Sequence, residues 1–233
     1  MKICAVVAHP DDEMFCAGTL AKFVKKGHEV TTIIMGCGDK GNPDLSQEET
    51  IRERTGEAKE AARIIGTKLE VLYEKDGELY HDNKTRQKLI EVLKREKPDI
   101  LITHYPDDYN PEHNITSQIA LAASIFATLV YSSPSPPLTK LARVYYMETV
   151  GGFGFLPEVY VDITETFETK IKAIKAYQSQ IRYMKKWPAI SADLLELNTL
   201  TCRLRGVQCG VTYAEAYVMS KIMGRVKALD LLP

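Results

Sequence analysis

No Gly-x-Gly-x-x-Gly turn follows the first apolar run of this chain, Lys2 to Val7, so the phosphate-cradling signature of a dinucleotide-binding unit is missing where it would stand. No apolar stretch approaches the roughly 20 residues that a bilayer-spanning helix needs. The five cysteines, Cys4, Cys16, Cys37, Cys202 and Cys209, contain no Cys-x-x-Cys pair, and their scatter excludes zinc-finger spacing. They read as buried or half-buried free thiols, which suits a reducing compartment. An excess of one charge is lacking too: a net charge of -1 provides no global field for nucleic acid or an anionic membrane. The local run of basic residues from Lys170 to Lys186 alternates with apolar ones at helical spacing and reads as a solvated helix face. With no basic-then-apolar leader ahead of the first strand, the expected location is the cytoplasm.

What is present is an alternation of strand and helix signals. At 233 residues, with 45% hydrophobic and 26% charged residues, the chain has the length and composition of one globular domain, 1–233. Lys2 to Val7 suits a strand buried on both faces. Asp12 to Lys26 reads as a helix closed by Gly27. Glu29 to Met35 is a second strand. Ile51, Ala58, Ala62 and Ile65 mark one helical face ending at Gly66. Leu69 to Tyr73 and Asp99 to Thr103 are further strands, with a helix at Thr85 to Arg95 between them. A helix is expected from about His113 to Val130, strands near Val144 to Glu148 and Glu158 to Asp162, and helices at Thr166 to Ile181 and Tyr213 to Met223. The fold class is therefore α/β: a Rossmann-like, doubly wound, mostly parallel sheet with a C-terminal α/β elaboration. Successive right-handed crossovers favour the strand order 3-2-1-4, which brings the ends of strands 1 and 4 into one crevice.

Those two ends carry the chemistry. His9, Asp11, Asp12 and Glu13 follow strand 1, and Asp108, Asn110, Glu112 and His113 follow strand 4. A catalytic zinc usually takes three His or Asp/Glu ligands and keeps a position for water. His9, Asp12 and His113 make such a set, leaving Asp11 as the general base. Pro10 stiffens the turn so that the neighbouring carboxylates diverge. The plainer alternative is that Asp11, Asp12 and Glu13 cap a helix start and that His113 is structural. His/Asp ligation admits Zn2+, Fe2+, Co2+ or another divalent metal.

Ala8-His9-Pro10-Asp11-Asp12-Glu13 resembles the signature of the PIG-L/LmbE deacetylases, zinc enzymes that remove N-acetyl groups from N-acetylglucosamine conjugates. The resemblance continues through Arg54, Glu57 and Gly66, Gly38-Asp39-Lys40-Gly41, Asp76-Gly77, and Asp108 to His113. It reaches Asp162-Ile163-Thr164, Ser179-Gln180 and Tyr213-Ala214-Glu215-Ala216, and so covers essentially the whole chain. It implies His9, Asp12 and His113 as zinc ligands, Asp11 as base, and Arg54 as a substrate-binding residue. The other reading of Arg54 is an exposed helix arginine paired with Glu53 or Glu57.

Two positions depart from the family pattern. Asn110 stands where a histidine is common; its amide can donate to an oxyanion but cannot deliver a proton. His104, at the end of strand 4, is the nearest substitute, or else a histidine behind the ligands. Tyr177 replaces a histidine before Ser179-Gln180. Trp187 beside Pro188, with Tyr183 and Met184, would wall a sugar cleft or pack a helix end, while His28 and His81 fall in turns.

The resemblance implies removal of the N-acetyl group from an N-acetylglucosamine conjugate or related amino sugar, a small-molecule substrate. It also implies a homo-oligomer, since relatives often form trimers or hexamers, while the net charge of -1 gives no reason to expect a nucleic-acid or membrane partner. The alternatives are an amidase acting on a larger acyl group and a non-catalytic, zinc-containing sugar-binding protein.

Overall fold

Strand β1 (Lys2–Val7) sets the architecture that it begins. Ile3, Ala5 and Val7 pack into one buried cluster, and Cys4 and Val6 into another on the opposite face. A strand apolar on both faces demands cover on both, which a doubly wound sheet supplies. The computed structural model describes residues 1–184 and 193–222.

After β1 come a 3-10 turn (Asp12–Phe15), α1 (Ala17–Lys25), β2 (Glu29–Gly36), α2 (Gln47–Ile65), β3 (Lys68–Glu74), α3 (Asn83–Glu96), β4 (Ile100–Thr103) and α4 (Pro111–Phe126). The second half contributes β5 (Arg143–Met147), β6 (Val159–Asp162), α5 (Phe167–Ala176), α6 (Gln178–Met184), α7 (Leu194–Cys209) and β7 (Ala214–Met219). Among the described residues the sheet order is β3-β2-β1-β4-β5-β7-β6. The first five of these strands run parallel; β7 lies antiparallel between β5 and β6. The expected 3-2-1-4 order is present, and β5 to β7 with α5 to α7 form the elaboration. Leu20, Ala58, Ile65 and Ala173 cover one face, and Leu89, Leu93, Ile119 and Ala123 the other. No described helix is long and apolar enough to cross a membrane.

Three expectations need correction. Tyr213 to Met223 is not a helix: Ala214–Met219 is strand β7, zipped to β6 with Val161 opposite Glu215. Its Ala-Glu-Ala opening has helical propensity, but two strand edges flank it, and tertiary pairing overrides that weak preference. The stretch before it, left without an element, carries α7. Finally, Lys170 is not on a solvated face, for it is 1% exposed.

Lys170 has a structural task. Its Nζ donates to Glu215 Oε1 at 2.8 Å and to the Met14 carbonyl at 2.5 Å. Glu215 in turn accepts from Gly18 N at 2.9 Å and Thr19 N at 2.7 Å, so a carboxylate from β7 satisfies the open N–H groups at the start of α1. This buried pair fixes the 3-10 turn directly after Asp11. Replacing one partner strands the other charge in the interior, so Lys170→Met is expected to cost about 3–5 kcal/mol, read from the urea midpoint. A loss below about 1 kcal/mol would show that Glu215 is held well enough by the helix N–H groups alone.

Candidate active site and metal centre

The turn after β1 is strained where the chemistry is densest. Asp11 has φ 115°, a left-handed conformation that a non-glycine residue holds only at a cost of about 1–3 kcal/mol. The strain turns Asp11 and Asp12 apart. Asp12 folds back so that its Oδ2 accepts from His9 N at 2.7 Å. Asp11 instead meets the Arg54 guanidinium, with Oδ1 3.2 Å from Nη2.

The second half of the site is built by the start of α4. Asn110 is its N-cap, with Oδ1 accepting from Glu112 N at 2.9 Å, and Pro111 occupies the first turn. That cap aims Glu112 and His113 at β1. The distances then close a three-ligand set: His9 Nδ1 lies 3.3 Å from Asp12 Oδ2, and His113 Nε2 lies 3.2 Å from Asp12 Oδ1. The ligand atoms of His9, Asp12 and His113 all fall within 4.8 Å of one another.

The outer ring nitrogens show that this donor set fits a metal. His9 Nε2 is 2.9 Å from Glu112 Oε2, and His113 Nδ1 is 3.1 Å from Asp108 Oδ1. Each imidazole thus has a carboxylate behind it and Asp12 in front, the arrangement that fixes tautomer and basicity in metal-ligating histidines. Glu112 Oε1 also accepts from Gly77 N and Leu79 N, tying the loop after β3 to the site. Sequence reasoning placed Asp108 and Glu112 in the motif without giving them a task. The His-carboxylate spacing inside Asp108 to His113 was the available signal.

Without a metal these groups hold protons. Burial works to lower the pKa of both imidazoles, but Asp12 with Glu112 holds His9 up to about 10, and Asp12 with Asp108 holds His113 up to about 9. Burial raises Asp12, yet His113 and His104 outweigh it and keep that carboxyl well below the usual range. Both imidazoles are therefore charged at neutral pH, and ligation must expel their protons. Metal binding at pH 7 is expected to release about two protons, with affinity rising about tenfold per pH unit for each. Calorimetric titration in buffers of different ionisation enthalpy reads that number directly; a value near zero would mean that the imidazoles are already neutral before an ion binds, and would overturn the raised pKa of both.

His104 lies behind the ligands. Its Nε2 accepts from Ala8 N at 2.9 Å, its ring stacks on His113 at 3.9 Å, and it is 1% exposed. Burial and the neighbouring His113 push its pKa down to about 4, so it stays neutral. Arg54 is neither exposed nor paired with Glu53 or Glu57. It is buried at 3%, donates to the Pro10 carbonyl at 2.5 Å, and sits between Asp11 and Asp76. Glu57 instead accepts from Ser179, and Glu53 pairs with Arg182. The turn after β2 makes room for Arg54: a Cβ on Gly41 would lie 2.2 Å from its Nη1, and one on Gly38 2.9 Å. Gly36, Gly38 and Gly41 do have the Gly-x-Gly-x-x-Gly spacing, but α2 begins only at Gln47, and an arginine fills the turn. Burial pushes Asp11 up to about 7 against the opposing Arg54 charge.

The cavity over this centre has a volume of about 310 Å³, and its walls include Lys40, Tyr109, Asn110, Gln180 and Tyr183. Lys40, Tyr109 and Gln180 carried no individual expectation. Trp187, Pro188 and the Met184 side chain lie outside the described residues. Tyr177, buried beneath the site, donates its hydroxyl to Glu13. A larger groove of about 830 Å³ lies at the other end of the sheet, around Lys2, Lys94 and Asp99, away from this centre.

Fold and site together define a cleft at the strand ends with a His/Asp/His cluster at its base, and the chain belongs to the GlcNAc-PI de-N-acetylase family, PIG-L, whose model matches residues 4–124. The chain is 28% identical over 190 residues to a diacetylchitobiose deacetylase of Thermococcus kodakarensis, covering 77% of this chain and 70% of that protein. It is 28% identical to a probable N-acetyl-α-D-glucosaminyl L-malate deacetylase of Bacillus cereus, covering 78% and 84%. A 4-oxalmesaconate hydratase of Pseudomonas putida is 25% identical over 93% of this chain and 85% of its own length. Among solved structures, the N,N'-diacetylchitobiose deacetylase of Pyrococcus horikoshii superposes with a TM-score of 0.82 at 27% identity, covering 94% of this chain and 83% of that one. The protein is an enzyme of the deacetylase class, which hydrolyses amide bonds.

Proposed function

We propose that this protein is a zinc-dependent N-deacetylase that removes the acetyl group from an N-acetylglucosamine conjugate or a related N-acetylated amino sugar. The observation that carries the reading is Asp11, a strained carboxylate outside the ligand set and anchored to Arg54 at 3.2 Å. The deacetylase relatives support the substrate class. His9, Asp12 and His113 would hold the ion. When bound there, a divalent ion supplies Lewis acidity and lowers the pKa of a water molecule.

The side chains do the rest. Asp11 accepts the proton of the attacking water, and Arg54 holds its carboxylate in place from below. Asn110 has its Oδ1 committed to the helix cap, which leaves the NH2 group to donate toward the developing oxyanion. Asp11 then returns its proton to the departing amine, since Asn110 has none to lend. His104, an acceptor toward Ala8 N, stiffens Asp12 and His113 and does not reach the cavity wall. Tyr183, at the rim, offers an aromatic face to a sugar ring.

The decisive experiment follows acetate and free amine from a panel of N-acetylglucosamine conjugates, using chelated protein with and without added zinc. Equal release of both, restored by zinc, is expected. Release of a larger carboxylate would replace the reading with an amidase. Inertness toward every amide, together with hydration of 4-oxalmesaconate, would place the chain with its hydratase relative. Binding of the sugars without turnover would leave a non-catalytic sugar-binding protein.

A further inference from the structure

A second group of ligand-type side chains stands beside Arg54, formed by the ends of β2 and β3. The Cys37 Sγ and the carboxylate oxygens of Asp39 and Asp76 lie within 4.8 Å of one another. One oxygen of each carboxylate has an evident structural use. Asp39 Oδ1 accepts from Asp76 N at 2.8 Å and lies 3.5 Å from Cys37 Sγ, and Asp76 Oδ1 accepts from Gly38 N at 2.9 Å. These bonds brace the two loops against each other.

The other oxygen of Asp39 is not accounted for. Asp39 is 3% exposed, and its Oδ2 is buried with no donor among the described residues. A buried carboxylate oxygen without a partner carries a desolvation cost that a hydrogen bond or a cation would remove. No ion pair of Asp39 occurs among the described residues, while Arg54 is already shared between Asp11 at 3.2 Å and Asp76 at 3.7 Å. The nearby thiol adds a soft donor to two hard ones.

We propose that Cys37, Asp39 and Asp76 form a second divalent-cation site, distinct from the His9, Asp12 and His113 set and selective for a thiophilic ion of the zinc class. One thiolate and two carboxylate oxygens suit Zn2+ or Co2+ and do not suit Mg2+ or Ca2+, which prefer all-oxygen shells. Binding sends the thiol proton to bulk water and leaves three anionic donors around the ion, with a fourth position for water. The site does not depend on which reaction the neighbouring cavity performs.

Cobalt distinguishes the two sites, because only thiolate ligation produces an intense near-ultraviolet charge-transfer band and the His/Asp/His set contains no sulfur. Titrating metal-stripped full-length protein with Co2+ is expected to give two bound ions per chain, with the band saturating at one of them. Cys37→Ser should abolish the band and reduce the stoichiometry by one ion. Asp39→Asn keeps the thiol and the acceptor for Asp76 N, and should move the midpoint of the band upward by at least about tenfold. A titration that ends at one ion without the band, or a band that survives Cys37→Ser, overturns the proposal.

Discussion

Asp11→Asn is expected to lower turnover by about 100- to 10,000-fold while leaving metal content and fold unchanged. The substitution is nearly isosteric, and asparagine is among the few residues that tolerate the φ of 115° found here. It keeps an oxygen for the Arg54 guanidinium, now 3.2 Å from Asp11 Oδ1. What it removes is the ability to accept a proton from water and return it to the amine. Steady-state kinetics, elemental analysis and far-ultraviolet circular dichroism on the same preparation separate these effects. Undiminished turnover would sink the base assignment; metal loss in parallel with activity would make Asp11 a ligand instead.

His113→Ala should act at the other end of the chemistry, reducing bound zinc by one ion per chain relative to the parent protein and turnover to background. His113 is 2% exposed and lies between Asp12 and Asp108. Its removal leaves two carboxylates facing an alanine, with only His9 and Asp12 left to ligate. A two-ligand site holds zinc poorly, and losing even an outer partner of a ligating histidine typically weakens a site 10- to 100-fold. Unchanged zinc content after dialysis would undo the mapping of the second motif. The contrast between the two variants is the sharper result: one should lose turnover with metal retained, the other should lose both.

The clustering of His9, Asp12 and His113 was legible because it is encoded locally. His9 and Asp12 share one turn, and the capping of α4 by Asn110 and Pro111 sets the direction of His113. The distance between the two motifs was bridged by crossover handedness, which acts independently of side chains. Charges whose partners lie far along the chain were misread. Lys170 sits in a stretch rich in basic residues, and Glu215, brought in by a strand that the sequence disguises as a helix, makes its burial tolerable together with the Met14 carbonyl. The burial of Arg54, against the exposed reading of it, follows the same logic, since nothing near it in sequence indicates that two glycines sixteen and thirteen residues earlier leave a hollow for it. In α7, Leu200, Leu204 and Val207 are exposed, so the apolar residues do not mark the buried face and periodicity gives no usable signal.

The carboxylate of Glu215 has a consequence for synthesis. It closes the start of α1 from 197 residues away in sequence. During translation the turn after β1 and the helix that follows it emerge well before residue 215, yet their N–H groups await a side chain from β7. Until residue 215 has left the ribosome, the turn that carries His9 and Asp12 has no lock. An ordered His9, Asp12 and His113 cluster is therefore an event of late folding.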